Sequence, residues 1–492
     1  METFSEVEQF QGTRRRVPFF LLSMKGKYLK MIDAFTGMSL WVVDSEGNLL
    51  TYGPLRLERK LYPVGQGSFY AERFMDGDIC KACVVYDCGS MQEIKKKNKT
   101  QKEIDCWIDE LLSKQIIYQE NKPTIDILFI SHFHEDHVNG ISQLIEKYHI
   151  KLVMMPFLES MEKDMLFLLE WCHAGMRNDN DEATYNLYKL IYRPESLFDK
   201  ETVITYVRAY DNLTDSDKNV KAIDIKDVKE SSNINSFTPI TCVIDAPKGS
   251  KNPYIWKYVP FYMGLGEEYN NFKSAFEDSN TLHDVIQGNA CLLGKLYDGN
   301  FQKEVRTVYE CITKKRLNEY SLMVYSGPLD NDLHFNVKYS LGKNMCSKKK
   351  EQRTLENSVA GCLYLGDAKL GWGPKMLNGK KCDTIRIIKE KLKSDLPQLD
   401  MIQVPHHGSA DSYSPKLLEL NAKTEHYFVS YGKDNHYGHP SSDVVKDIAS
   451  KGKLLSCVTE DKDSFCTISY HFPEILWGKP EENGTSDAPQ AN

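Results

Sequence analysis

"DILFISHFHEDHVNG", residues 126–140, is the stretch that decides the fold of this chain. Its opening run, "DILFI", is typical of a buried strand. Three histidines and two carboxylates follow within the six residues 132–137. Imidazole nitrogens and carboxylate oxygens are common ligands of Zn²⁺ and Mn²⁺, and two pairs of ligands this close together suit two neighbouring ions. The stretch therefore predicts the floor of a metal site, provided that distant parts of the chain supply partners.

Such partners stand at the ends of three other apolar strands, each of which runs into a turn of small residues. Asp87 ends "ACVVYD", Asp367 ends "CLYLGD", and His406 and His407 follow "DMIQVP". Strands that end at one edge of a sheet deliver their last side chains to a shared cleft. We therefore expect these four residues to meet the histidine motif there.

The composition is that of an ordinary globular chain of 492 residues, 41% hydrophobic and 27% charged, with room for two or three domains. A net charge of −7 gives no general attraction to nucleic acid, so a local basic patch or a metal would have to hold a nucleic-acid partner. Thirteen scattered cysteines indicate reduced thiols. No segment approaches the ~20 apolar residues that span a bilayer. We expect a cytoplasmic protein with no membrane contact.

The order of strand and helix patterns predicts an α/β protein built from layers. We divide it into a β-rich N-terminal extension, the first half of a main domain, a mostly helical insertion, the second half of that domain, and a disordered tail: residues 1–60, 61–157, 158–316, 317–477 and 478–492. Stretches such as "MEKDMLFLLEWCHAGM" favour helices in the insertion. The insertion would serve as a lid or as a docking element for a partner protein.

The motifs together resemble those of the metallo-β-lactamase-fold hydrolases, whose fold is an αββα sandwich. The matching residues are Asp87, "HFHEDH" and Asp367. More narrowly, "PVGQGSFY", "VYDCGS", "NEYSLMVY", "VPHHGS" and "SYGKDNHYGHP" resemble the soluble hydrolase domain of bacterial competence DNA-uptake channels, which degrades one DNA strand. The resemblance covers about residues 60–157 and 316–475, and neither the N-terminal extension nor the insertion.

The resemblance implies a centre with two divalent ions, Zn²⁺ or Mn²⁺. His132 and His134 would hold one ion, Asp136 and His137 the other, and Asp367 would bridge both. One strand departs from the family pattern, because many members supply a further histidine after the strand that corresponds to "IKLVMMPF", and none follows here. Three interpretations stay open. The first ion has a more open coordination site, the enzyme uses a single metal, or the insertion supplies a ligand.

The late histidine ligand is a choice among three residues. His406 is preferred, and His407 and His439 compete with it. Asp87 would orient a metal-binding histidine, as an outer carboxylate commonly does. Of the other histidines, His173 is the residue that the insertion would lend, and His149 is expected to be structural.

Catalysis would then begin at Asp136, which takes the proton of the attacking water. Metal coordination brings the pKa of such water to about 7. The backbone amides of Gly408 and Ser409, the Ser409 hydroxyl and the spare histidine, His407, would hold a phosphate oxygen. The string "NHYGHP" would line the same pocket through Asn435, Tyr437 and His439. Plain polar turns are the alternative interpretation of both strings.

The leading prediction is a metal-dependent phosphodiesterase, most simply a nuclease acting on nucleic acid, working within a multi-protein defence system. A second hypothesis keeps the fold and the metals but takes a small-molecule ester, cyclic nucleotide or thioester as substrate. A third makes the chain a non-catalytic scaffold or regulatory subunit with a relic metal site. The presence of so many ligand-type residues argues against the third, because a relic would be expected to lose ligands.

Overall fold

Two mixed β-sheets form the centre of the protein in the computed structural model. The α/β class predicted from the sequence is therefore confirmed. The structure describes residues 19–476 except for 25–27, 34–38, 44–48, 92, 97–98, 113–121, 174, 177–181, 214–220, 230–231, 246–253, 265–273, 275–291, 313–320, 343–350, 372–374 and 378–379. The predicted tail, 478–492, lies outside the described residues.

The described strands are, in chain order, β1 (Phe19–Met24), β2 (Tyr28–Asp33), β3 (Ser39–Val43), β4 (Leu49–Leu61), β5 (Gly67–Asp76), β6 (Ile79–Ser90), β7 (Glu93–Lys96), β8 (Lys99–Lys102), β9 (Thr124–Phe129), β10 (His149–Pro156), β11 (Val203–Arg208), β12 (Ile223–Asp224), β13 (Asn233–Asn235), β14 (Ile240–Asp245), β15 (Tyr254–Phe261), β16 (Met323–Pro328), β17 (Phe335–Leu341), β18 (Glu351–Ser358), β19 (Gly361–Tyr364), β20 (Lys375–Leu377), β21 (Lys380–Cys382), β22 (Leu399–Gln403), β23 (His426–Ser430), β24 (Leu454–Val458) and β25 (Cys466–Leu476).

The described α-helices are α1 (Glu103–Leu112), α2 (Glu135–Val138), α3 (Ile141–Lys147), α4 (Ser160–His173), α5 (Glu182–Tyr192), α6 (Leu292–Lys295), α7 (Gly299–Ile312), α8 (Thr384–Lys391) and α9 (Ser442–Ser450). None of them is long and apolar enough to cross a membrane.

The larger sheet has the order β1-β2-β3-β4-β5-β6-β9-β10-β11-β13, with β25 paired to β4 and β17, and β18 paired to β17. Its strands are parallel from β6 to β13 and antiparallel elsewhere. The smaller sheet has the order β12-β14-β15-β16-β19-β22-β23-β24 and is parallel from β19 to β24. Each sheet therefore contains a run of parallel strands whose carboxyl ends lie along one edge.

Aromatic rings fill the space between the two sheets. Tyr70 and Tyr86 of the larger sheet stack on Tyr364 of the smaller one, with ring centroids 6.0 and 4.9 Å apart. Phe428 of the smaller sheet packs against the edge of Tyr70. All four side chains are buried, and burial of each large apolar side chain contributes about 1.5–3 kcal/mol. These contacts fix the position of one sheet on the other.

Glu72 adds a polar connection between the same two sheets. Its carboxylate forms a buried ion pair with Arg59, 2.7 Å away on the neighbouring strand. From the smaller sheet it accepts hydrogen bonds from the hydroxyls of Tyr258, Ser326 and Tyr364. Because the Glu72 carboxylate has the opposite charge of Arg59 beside it and three hydroxyl donors, its charge is buried with a paired partner.

Helices cover the outer faces of both sheets. Helix α1 buries Ile104 and Ile108, and helix α3 buries Leu144, within the core cluster that includes strand β6 of the larger sheet. Helices α8 and α9 bury Ile388 and Ile448 among residues of β19, β22 and β23 in the smaller sheet. Their apolar residues recur at helical spacing, which is why one face of each helix is buried.

The segment 158–316 differs from the mostly helical insertion that the sequence predicts. Helices α4 to α7 do lie in it, but so do strands β11 to β15. Strand β11 extends the larger sheet beside β10, and β15 pairs with β16 in the smaller sheet. Strands "VITYVR" and "YIWKYVPF" are short apolar runs, which periodicity alone does not separate from buried helix. The helical parts are thus excursions from two sheets that continue through the segment.

The boundary predicted at residue 60 also falls inside a sheet. Strand β4 crosses it and pairs with both β5 and β25. Strands β1 to β3 precede β4 and continue the larger sheet in antiparallel fashion. The β-rich extension is therefore continuous with the sheet of the main domain.

Asp400 generates a testable pH dependence of stability. It lies on β22 of the smaller sheet, buried, and accepts hydrogen bonds from Tyr339 and Tyr470 of the larger sheet. Burial raises the pKa of its carboxyl from 3.8 to about 6, although both hydrogen bonds oppose the shift. The folded state therefore binds this proton more tightly than the unfolded chain, and ionisation of Asp400 destabilises the fold progressively as the pH rises from about 4 to about 6.

Substitution Asp400→Asn removes this ionisation. We expect the free energy of unfolding of the variant, relative to wild type, to improve by up to about 3 kcal/mol as the pH rises from below 4 to above 6. Urea denaturation at pH steps across this range measures the difference. A difference between the two proteins that stays constant with pH would contradict the assignment.

Candidate metal centre

The predicted site residues meet where the carboxyl ends of the two parallel runs of strands face each other. In the larger sheet β6 and β9 are in register up to Tyr86 and Phe129, so Asp87 lies beside the start of the histidine motif. In the smaller sheet the chain leaves β19 and β22 together, and the backbone amide of His406 donates to the carbonyl of Gly366. Each sheet thus carries one half of the site.

Asp367 occupies the middle of this arrangement. Its Oδ2 atom lies 3.7 Å from Nε2 of His132 and 3.6 Å from Nε2 of His406. Its Oδ1 atom lies 3.3 Å from Nε2 of His137 and 3.9 Å from Nε2 of His407. The two oxygens of one carboxylate therefore face two different pairs of imidazoles, one member of each pair coming from each sheet.

Asp136 joins the Oδ1 side of the site. Its Oδ2 atom lies 3.1 Å from Nε2 of His407, and its Oδ1 atom lies 3.9 Å from Nε2 of His137. The ligand atoms of Asp136, His137 and His407 are all within 4.8 Å of one another, and so are those of His132, His137 and Asp367. The structure brings both late histidines to Asp367, His406 at one oxygen and His407 at the other.

Asp87 holds the motif in place from behind. It is fully buried, and its carboxylate accepts hydrogen bonds from the backbone amide and the hydroxyl of Ser131, both at 2.7 Å. Its Oδ2 atom also lies 2.8 Å from Nδ1 of His137. A proton on Nδ1 directs Nε2 of this ring toward Asp367, which is the orienting role that the sequence predicts for Asp87.

Ser321 connects the two halves of the site. Its hydroxyl lies 3.2 Å from Nδ1 of His132 and accepts a hydrogen bond of 2.9 Å from the amide of Asp367. Gly366 makes this approach possible, because a Cβ atom there would lie 2.4 Å from the Ser321 hydroxyl, and its φ of +52° also favours glycine.

His406 and His407 present both rings to the site because of an unusual backbone turn. Both residues have left-handed backbone conformations, with φ of 50° and 53°. The Nδ1 atom of His406 lies 2.8 Å from the Ser412 hydroxyl, and that of His407 lies 2.8 Å from the carbonyl of Ser430. Two consecutive left-handed residues that are not glycine cost of order 1–3 kcal/mol each. Such strain is typical of a functional site.

The charges of the site stabilise the ionised carboxylates. Burial opposes ionisation of Asp367, but His406, His137 and His407 hold its pKa well below the usual range. Burial lowers the pKa of His406 to about 4, although Asp367 opposes the shift. Although burial opposes it, the neighbouring carboxylates raise the pKa of His137. Carboxylates that stabilise protons on a histidine also stabilise a divalent cation, which releases those protons when it binds.

The donor set fits a metal ion. Nε2 of His137 is buried and has no hydrogen-bond partner among the described residues, although it faces Asp367. Its other nitrogen, Nδ1, is already held by Asp87. Imidazole and carboxylate donors suit Zn²⁺ and Mn²⁺. Asp87, Ser321 and Ser412 lie at the Nδ1 atoms of His137, His132 and His406, which is where the outer partners of a metal-binding imidazole commonly lie.

His134 has a different neighbour from the rest of the motif. Its Nε2 atom lies 2.9 Å from Oε1 of Glu170 on helix α4. The side chain of Glu170 is buried. Burial opposes protonation of His134, but Glu170 raises its pKa to about 9. His149 is the first residue of β10, and its Nδ1 atom lies 3.2 Å from Oδ2 of Asp199. The side chain of His173 lies outside the described part of the chain.

The structure corrects the role predicted for the amides after the late histidines. The amide of Gly408 donates to the carbonyl of Pro405, and that of Ser409 donates to the carbonyl of His406. Both donors are therefore used inside the turn, and neither points to a phosphate oxygen. The Ser409 side chain is buried.

Asn435 also has a local role instead of lining a pocket. Its amide donates to the carbonyls of Gly432 and His439 and accepts from the amide of His439. This holds the loop that carries Tyr437 and His439. The His439 ring lies 5.7 Å from the His406 ring, and Tyr437 stacks on His439 at 5.8 Å.

Sequence reasoning missed four residues that contact the predicted ligands: Ser131, Glu170, Ser321 and Ser412. Ser131 and Ser321 stand inside the quoted strings "SHFHEDH" and "NEYSLMVY", so position beside an apolar strand was the available signal. Glu170 and Ser412 carry no local signal, because only the folded chain brings them to the site.

No model of a known protein family matches this chain, and no curated protein matches it.

The hydrogen bonds of Asp87 give a prediction for stability. Substitution Asp87→Ala leaves His137 and Ser131 without their buried acceptor, so we expect the free energy of unfolding to fall by about 3–5 kcal/mol. Urea denaturation in the presence of a chelator isolates this effect from metal binding. Asp78, exposed in the turn between β5 and β6, provides the control, and Asp78→Ala should change stability by less than about 0.5 kcal/mol. Equal losses in the two variants would contradict the role of Asp87.

Proposed function

We propose that the protein is a metal-dependent hydrolase of the metallo-β-lactamase fold and that it cleaves phosphodiester bonds in nucleic acid. The observation that carries the proposal is Asp367, whose two oxygens each face two imidazoles. A carboxylate so placed is suited to bridge two ions. The two facing sheets with helices outside, and the strand ends that deliver the ligands, support the resemblance to this fold.

The residues of the centre would have different roles in hydrolysis. Two divalent ions, Zn²⁺ or Mn²⁺, would lower the pKa of the attacking water and stabilise the charge that develops on the phosphate. His132 and His406 face one oxygen of Asp367, and His137 and His407 face the other. Asp136 is ionised, because His137 and His407 outweigh the effect of burial on its pKa. Its carboxylate carries no proton and would accept the one that the water loses as the new P–O bond forms, while the departing ester oxygen takes a proton from solvent.

The substrate class is supported by the loop that carries Tyr437. This ring is 58% exposed, and among the described residues Tyr297 and Tyr185 are the other exposed large aromatic side chains. It stacks on His439, whose ring in turn packs against His406 at the centre. An exposed aromatic ring next to a hydrolytic centre is suited to stack on a nucleobase. We infer that Tyr437 receives a base close to the scissile phosphate.

One observation favours a small-molecule substrate instead. A cavity of about 350 Å³ lies between the histidine motif and helices α4 and α5, with Phe133 and Trp171 among its apolar walls. This is within the size range of ligand pockets. Its polar lining includes the carboxylates of Glu135, Glu170 and Glu182, which repel a phosphate. An uncharged ester is therefore the alternative substrate that this cavity would fit.

The proposal predicts metal-dependent cleavage that requires Asp136. End-labelled single-stranded DNA, duplex DNA and RNA are each incubated with the protein and added Mn²⁺, Zn²⁺ or Mg²⁺. We expect cleavage of at least one of them, and a rate lower by about 100-fold or more in Asp136→Ala, because that variant loses both a ligand and the proton acceptor. Asp434→Ala, which removes an exposed carboxylate of the Tyr437 loop, should cleave like wild type.

Small substrates in the same assay separate the alternatives. Hydrolysis of bis(p-nitrophenyl) phosphate without cleavage of any nucleic acid would retain the phosphodiesterase and reject the nuclease. Hydrolysis of p-nitrophenyl carboxylic esters alone would favour the small-molecule ester. Failure to hydrolyse any of these with any ion would contradict the proposed enzyme.

Tyr437 gives a prediction for substrate binding. Stacking of a base on an aromatic ring contributes about 1–3 kcal/mol, so Tyr437→Ala should weaken binding of a single-stranded oligonucleotide by about 5- to 150-fold. Tyr437→Phe keeps the ring and should bind like wild type. Fluorescence anisotropy with Asp136→Ala as the common background measures binding without cleavage. Equal affinities of the Ala and Phe variants would remove Tyr437 from the binding surface.

A further inference from the structure

Glu170 reaches the centre from a helix, whereas the other residues of the centre follow the ends of strands. It belongs to helix α4, which packs against α5 and α7. Its side chain is buried, and its Oε1 atom lies 2.9 Å from Nε2 of His134. A carboxylate buried at this distance from an imidazole of a metal-binding motif is either an ion-pair partner of that imidazole or a ligand of the same ion.

The charges on the two sides of Asp367 favour a ligand. On the Oδ1 side, Asp136 adds a second carboxylate to the imidazoles of His137 and His407. On the Oδ2 side, His132 and His406 bring no negative charge of their own. An ion there would be balanced by one shared carboxylate, although buried charges are ordinarily paired.

His134 belongs to this second side, because its ring lies 4.5 Å from the ring of His132. Glu170 therefore adds a carboxylate at the place where the charge balance lacks one. With it, each side of Asp367 has imidazoles, one carboxylate of its own and one shared carboxylate.

We propose that Glu170 is a metal ligand of the centre, and that it binds the ion held by His132 and His134. The inference rests on the proposed function, because it requires a metal at this site. Two ligand atoms bound at right angles to one octahedral ion, a geometry typical of Mn²⁺, each at about 2.1 Å, lie about 3.0 Å apart. The separation of 2.9 Å between Glu170 and His134 agrees with this spacing. Helix α4 thus ties the helical part of residues 158–316 directly to the centre.

The test compares full-length wild type with Glu170→Gln and Glu182→Gln. Glu182 lines the same cavity as Glu170 but is exposed, so its variant controls for the loss of a carboxylate from that cavity. Each protein is loaded with Mn²⁺ or Zn²⁺ and dialysed, its metal content is measured by mass spectrometry, and the affinities are measured by competition with a chromogenic chelator. Thermal unfolding with a chelator present establishes that each variant is folded.

We expect two ions per chain in wild type and in Glu182→Gln. In Glu170→Gln we expect one ion to bind as before and the other to bind about 10-fold or more weakly. Two ions of unchanged or increased affinity in Glu170→Gln would overturn the proposal and make Glu170 an ion-pair partner that a metal displaces. Absence of bound metal from folded wild type would instead overturn the proposed function, and this inference with it.

Discussion

The structure depends on the burial of Asp367 at the edge where its two sheets meet. An ionised carboxylate removed from water costs several kcal/mol unless it is paired and hydrogen-bonded. Here the pairing groups come from both sheets, His132 and His137 from one and His406 and His407 from the other. Neither sheet could bury its own part of the centre alone. The chemistry of the site and the docking of the sheets therefore have the same physical cause.

This dependence explains the layers of hydrogen bonds around the imidazoles. A ring that must present Nε2 to Asp367 has to be fixed through Nδ1, and each ring has a different partner there: Asp87 for His137, the Ser321 hydroxyl for His132, and Ser412 for His406. The left-handed turn at His406 and His407 has the same origin, because consecutive side chains of an extended strand would point to opposite faces. The strain of that turn lets two neighbouring rings reach one carboxylate.

The sequence predicts those parts of the site that have a local sequence pattern, and it does not predict contacts that form only in the folded chain. Apolar runs that end in Asp87, Asp367 or the histidine motif are local patterns, and the structure brings these residues together. The fold class follows from the same runs. Glu170 and Ser412 had no such signal, because their contacts depend on where a helix and a turn lie after folding. The strands within 158–316 were missed since short apolar runs are ambiguous, and the amides of Gly408 and Ser409 were assigned to a ligand because a sequence does not reveal the carbonyls that they meet.

The charge around the centre differs between the side of helix α4 and the side of the Tyr437 loop. This difference affects the side from which a substrate can reach the centre. On the side of helix α4, three carboxylates line the cavity, and a polyanion would be repelled there. On the side of the Tyr437 loop, the exposed ring leads over His439 to His406, and the carboxylate of Asp434 on the same loop is exposed to solvent. A chain with a net charge of −7 offers no general attraction for nucleic acid, so local charge decides the route. We therefore infer that the proposed nucleic-acid substrate would enter along the Tyr437 loop, and that Glu170 on the α4 side serves the proposed metal instead of the substrate.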